Sequence, residues 1–97
     1  MENYQSQYID KLNIGQVAFN NTDALACTDK KFRRRLDLQK ALKLGNLYKQ
    51  SVKITFISAE NIVHKTEGTV WAITQNYVIL KASSMIPIAS VIDVEFA

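Results

Sequence analysis

Few residue types in this chain can do chemistry. There is one histidine, His64, and one cysteine, Cys27. A zinc site takes about four soft ligands, so this pair does not make one, and no metal or other cofactor is expected. Cys27 could serve as a nucleophile only beside a base; near a helix start, a small thiol more often simply packs. Asp93 and Glu95 alternate with apolar residues near the end of the chain and so share a solvent face. General acid–base work would need both in a cleft with shifted pKa values, and the pattern shows no cleft. The sequence also lacks a P-loop, a dinucleotide glycine fingerprint and a nucleophile elbow. We therefore expect no enzyme.

The remaining signal is cationic. Lys30-Lys31-Phe32-Arg33-Arg34-Arg35 is continued by Lys40, Lys43, Lys49 and Lys53. Only Asp29 and Asp37 oppose them, so residues 28–53 carry +7 in a chain whose total is +3. On a helix, Lys30, Arg33, Arg34 and Lys40 cover one side, and such a stripe can neutralise several phosphates. Phosphate contacts give affinity without choosing a sequence. The same charges also fit a solvated face with Asp37 in pairing range of Arg33 and Arg34, and both readings stay open. Trp71, Tyr77 and Tyr48 could stack on unpaired bases. Yet one large aromatic per strand usually fills a small core. We expect Trp71 in the core or against the helix, and Tyr77 partly exposed. The candidate nucleic-acid-binding set is Lys30, Lys31, Arg33, Arg34, Arg35, Lys40, Lys43 and Tyr77.

These side chains need elements to hold them. Tyr4, Tyr8, Ile9 and Leu12 fall at helical spacing, so a short amphipathic helix is expected before Gly15 within a weakly structured lead-in over residues 1–21. A basic helix is expected over 22–45, capped by Thr22 or Thr28, with Asp23 and Asp29 near its positive end and Gly45 as its left-handed stop. Its apolar face holds Phe32, Leu36, Leu38 and Leu42 and leaves Ala41 and Leu44 outside. Either basic side chains snorkel at the margin or the helix packs on two surfaces.

After Leu47 the hydrophobic period changes to two. Strands are expected at 52–57, at 62–74 with a bend at Gly68, at 77–81, at 85–88 and at 91–96. Gln75-Asn76 is turn chemistry between two β-branched and aromatic segments. Pro87 assigns the fourth strand to an edge. His64 is read as a surface strand residue near Glu67 or Lys65. The 97 residues make one domain, with no repeat or linker. No stretch is apolar enough to span a bilayer, and residues 1–5 lack the regions of a signal peptide. With a single cysteine, this leads us to expect a cytoplasmic protein with no membrane partner.

The order and spacing of these strands resemble the Sm-like and SH3-like small barrels. Val52-Lys53-Ile54-Thr55-Phe56, Gly68-Thr69-Val70, Tyr77-Val78-Ile79-Leu80-Lys81 and Ile88-Ala89-Ser90-Val91-Ile92 are most similar to the bacterial host-factor branch of Sm-like RNA chaperones. The likeness covers roughly the last half of the chain and is mostly patterning. It implies an α+β fold: the basic helix packed on a five-stranded, strongly bent antiparallel β-barrel over 52–96. Where that family carries a tyrosine-lysine-histidine pore motif, this chain has Ile86-Pro87-Ile88, so the pore pocket does not carry over. Pro87 also removes a donor from the strand that joins subunits in Sm rings, which disfavours a ring. Leu44-Gly45-Asn46-Leu47-Tyr48-Lys49, with Trp71-Ala72 and Ile86-Pro87-Ile88, also resembles small uncharacterised bacterial proteins. The expected function is a non-catalytic module that contacts RNA or DNA phosphates through the helix, with weak sequence preference. The alternative is an interaction or assembly module, self-associating through edge strands or the N-terminal segment, whose basic helix meets an acidic protein surface.

Overall fold

From Asp29 to Tyr48 the chain has no β-branched residue and is rich in Leu, Lys, Arg, Gln and Ala, all strong helix formers. In the computed structural model, which describes residues 7–82 and 84–96, this stretch is α1, Thr28–Tyr48. The helix starts six residues later than expected, because Asp23 is occupied elsewhere. Its Oδ1 accepts the Leu25 N–H at 2.8 Å, a local turn that competes with helix. Neither Thr22 nor Thr28 caps; Cys27 takes the N-cap position in extended conformation. The far end also differs. Gly45 does not stop the helix but lies buried within it, and the left-handed residue is Lys49, at φ 54° and ψ 32°. The Lys49 N–H bonds the Gly45 carbonyl at 3.0 Å, and the Gln50 N–H reaches the Leu44 carbonyl at 3.4 Å.

Gly45 is needed where it stands. A Cβ there would run into the Val70 carbonyl oxygen and lie 3.1 Å from Thr69 Cγ2. The helix thus rests on the backbone of residues 69–70. Its buried face is Arg34, Leu38, Ala41 and Gly45. Phe32 and Leu36, expected beside Leu38, face solvent instead.

The strands fall close to the expected places. They are β1 Gln7–Tyr8, β2 Val52–Ile57, β3 Val63–Gly68, β4 Val70–Ile73, β5 Tyr77–Leu80, β6 Met85–Pro87 and β7 Val91–Glu95. They do not close the expected five-stranded barrel. Two three-stranded antiparallel sheets form instead, β3-β2-β7 and β4-β5-β6, and the two-residue β1 adds in parallel to the free edge of β3. Two breaks account for this. The ladder of β3 ends at Gly68, opposite Val52, and Thr69 alone links it to β4 in the other sheet. Pro87 ends β6 with no N–H to give, and a 3-10 turn, Ile88–Ser90, carries the chain to β7. The helix lies against β4 of one sheet and β7 of the other. The α+β class stands; the barrel does not.

Between them lies one core, with Ile14, Leu38, Val52, Ile54, Phe56, Val70, Val78, Leu80, Ile86 and Val91 at 2% exposure or less. A bulge between Thr55 and Phe56 shifts the register with β7, so Val91 and Val94 point inward and Ile92 stays half-buried. The lead-in contributes as well. Ile14 sits on a 3-10 turn, Lys11–Gln16, rather than on an amphipathic helix, and is fully buried. Ile9 and Ala59 anchor this segment through N–H bonds to the Lys65 and Ala18 carbonyls, at 3.0 and 2.8 Å. Tyr4 lies outside the described residues, and Tyr8 is exposed. Among the described residues no helix is long and apolar enough to cross a membrane.

Candidate nucleic-acid interface

The basic run winds around the start of α1, and its members meet different fates. Lys30, Lys31, Arg33, Arg35, Lys40 and Lys43 are all exposed. None of the six takes part in an ion pair among the described residues. Lys40 holds its ammonium 4.5 Å from the centre of the Phe96 ring, a cation–π contact.

Arg34 is the exception, at 8% exposure. Its Nη1 donates to Asp23 Oδ1 at 2.9 Å and to the Val91 carbonyl at 3.0 Å, and its Nη2 donates to Asp23 Oδ2 at 2.7 Å. This fork fixes the loop before the helix and the start of β7 to α1. Arg34 therefore leaves the phosphate-binding set, and Asp37 is not its partner. Burial pushes the Asp23 carboxyl up, but the Arg34 hydrogen bonds, the Leu25 N–H and the charges of Arg34 and Lys31 outweigh it. The net effect holds Asp23 below its ordinary 3.8.

Arg33 and Lys30 stay exposed at the start of the helix. They line a groove of about 450 Å³ between α1 and β7, where Asp29, Asp37 and Asp93 mix acids among the cations. Arg35 lines a different depression, an open cleft of about 570 Å³, together with Tyr77, Asn20, Asn21, Gln75 and Asn76. Three tethers build this cleft. The Ala24 N–H bonds the Ala89 carbonyl at 2.8 Å, the Ile88 N–H bonds the Asn76 carbonyl at 2.8 Å, and the Thr74 N–H bonds the Tyr77 carbonyl at 2.9 Å. The Thr74 hydroxyl also accepts the Asn76 and Tyr77 N–H groups, at 3.3 and 2.9 Å, which holds the Gln75-Asn76 turn in shape. Tyr77 is 39% exposed at the mouth of the hairpin.

Structure and sequence part company at two aromatics and at the amides. Of the two places expected for Trp71, the core or against the helix, the core is excluded, because it is 51% exposed. The β4–β5 register steps from Val70↔Leu80 to Ala72↔Ile79, so Trp71 is the extra residue of a bulge and turns away from the core. His64 lies on a strand as expected but is half-buried rather than fully at the surface, its ring stacked 5.4 Å from that of Phe56. Asn20-Asn21 and Gln75-Asn76 read as turn punctuation in sequence, and nothing local says that two turns 54 positions apart share a cleft. Glu95 pairs with Lys65 at 3.2 Å, and Asp93 lines the α1–β7 groove. Among the described residues no three His, Cys, Asp or Glu side chains gather as a metal would require. Comparison with models of protein families, with curated proteins and with solved structures found no match to the chain.

Proposed function

We propose that the protein is a non-catalytic module that binds single-stranded RNA or DNA with weak sequence preference, in a reducing compartment such as the cytoplasm. One observation carries the reading: Arg35 from the basic helix and Tyr77 from the hairpin line the same amide-bearing cleft. A guanidinium there meets a phosphate, a phenol ring offers a face for a base, and amides can bond base edges through donor and acceptor alike. The other exposed cations, Lys30, Lys31, Arg33, Lys40 and Lys43, extend the positive field beyond the cleft and add affinity that no base sequence governs. The cleft is open and polar rather than enclosed, which suits a strand passing through better than a substrate shut away from water.

The test is fluorescence anisotropy with labelled homopolymers across a salt series. If three to five phosphates are neutralised, log affinity falls against log salt with a slope of roughly −2 to −3.5. Replacing both Arg33 and Arg35 with Glu removes most of the binding and flattens that slope. Tyr77→Ala weakens it about fivefold or more, in the range of a lost stacking contact. No binding at low ionic strength would end the proposal.

A further inference from the structure

The outward face of α1 is not wholly polar. Phe32, Leu36 and Leu47 are 63%, 45% and 65% exposed. At about 100° per residue they fall with Lys43 inside an arc of about 60°, opposite the buried Arg34, Leu38, Ala41 and Gly45. The stripe runs about 22 Å along the axis at 1.5 Å per residue. Arg33 and Lys40 flank it on one side and Arg35 on the other, with Lys43 within it. From Phe32 to Leu47 the only acid is Asp37, which lies in the α1–β7 groove. An apolar ridge set among mostly positive charge, with acids only in the groove on the Arg33 side, is costly to leave in water and specific in what it can meet.

We propose that this face binds the surface of an anionic lipid bilayer, with α1 lying parallel to the membrane plane. Charge decides against a second copy. An antiparallel pair of these helices centred on the stripe would set Lys40 against Lys40 and add Arg33, Arg35 and Lys43 from both sides, while the acids near them, Asp29 and Asp37, lie in the groove beside β7. A nucleic acid answers the cations but leaves Leu36 and Leu47 facing phosphate. Anionic headgroups take up the cations, while Phe32, Leu36 and Leu47 enter the boundary with the acyl chains, and a fluid bilayer needs no preformed groove to fit a convex ridge. Lying on a membrane differs from crossing one, so the absence of a spanning helix among the described residues does not conflict with it. The inference goes beyond the nucleic-acid reading, and because the two share Arg33 and Arg35 the ligands compete.

The experiment is co-sedimentation of the full chain with vesicles of phosphatidylcholine alone, or with roughly one-third phosphatidylglycerol. Binding is expected only to the anionic vesicles, weakening as salt rises. The double variant F32S/L47S, both positions exposed and so compatible with folding, loses roughly tenfold or more in vesicle affinity. It keeps its oligonucleotide affinity, whereas R33E/R35E loses both. Absence of binding to anionic vesicles overturns the proposal, and so does vesicle binding indifferent to F32S/L47S, which would be bare electrostatics. A mass that doubles with concentration and reverts in F32S/L47S, without vesicle binding, assigns the face to a second copy and also overturns it. Should vesicles bind and oligonucleotides not, the lipid surface stands and the nucleic-acid reading falls alone.

Discussion

Gly45→Ala tests the close approach of α1 to residues 69–70, because two effects of opposite sign compete there. In an unencumbered helix interior, alanine is about 1 kcal/mol better than glycine, part of it from a less mobile unfolded chain. At this position the new Cβ meets the Val70 carbonyl oxygen, with Thr69 Cγ2 at 3.1 Å. The obstructing atom is backbone, held in a β4 that pairs with β5, so it cannot rotate aside as a side chain could. Relief requires lifting α1 off β4, which opens the packing around Ala41 and Val70, both fully buried. Overpacking of this kind costs about 1–3 kcal/mol, and backbone contact belongs at the upper end. The net loss is then about 1–2 kcal/mol, a Tm lower by roughly 4–16 °C in a domain of this size. Circular dichroism melts measure it directly. Gly15→Ala is the control, because a Cβ there has nothing within 4 Å; it leaves Tm unchanged or slightly raised. If G45A raises Tm, helix propensity outweighs the contact, and the close docking of α1 on residues 69–70 is wrong.

Other outcomes follow from buried polar groups and the helix start. Asp23→Ala strands the Arg34 guanidinium and costs about 2–4 kcal/mol by urea unfolding, whereas Asp23→Ala with Arg34→Met costs less than Asp23→Ala alone. Because the folded Asp23 pKa lies below 3.8, its contribution is complete above that pH and is lost as pH falls through the lower folded value. Acid unfolding of D23A should lack that component. Thr66 is fully buried on β3 and its hydroxyl oxygen has no partner among the described residues, so Thr66→Val raises stability by about 1 kcal/mol in the same assay. Cys27 makes no capping hydrogen bond as it stands, but its thiolate is favoured by the Lys30 and Asp29 N–H groups and by the Lys30 charge, which outweigh slight desolvation. Its pKa is lowered from 9.0, and the midpoint of its alkylation by iodoacetamide should fall below that value.

The strands were legible in sequence because alternation is local: Val52, Ile54 and Phe56 alternate with Lys53, Thr55 and Ile57, and the first three are buried, although Thr55 on the other side is covered as well. What joins strands into sheets was not. Thr69 and the Ile88–Ser90 turn interrupt pairing through long-range geometry, and from patterning alone both looked like continuations of a barrel. The helix misled for a related reason. Apolar residues lie on both its sides, and the choice of Ala41 and Gly45 over Phe32 and Leu36 depends on how near the β4 backbone comes. Charge density marked the basic face, yet it could not single out the one arginine with an acid placed for it eleven residues upstream. The amides of the cleft were visible only as turn residues, because a turn's side chains reveal nothing about which other turn they face.

The pinning of Arg34 has a geometric corollary for its two neighbours. With the middle side chain of the triplet clasped inward by Asp23 and Val91, Arg33 and Arg35 must diverge, about 160° apart around the outer half of the cylinder. A polyanion that touches both cannot run lengthwise beside the rod. It has to straddle the first turns crosswise, like a saddle strap, entering from the hairpin side and leaving over the last strand.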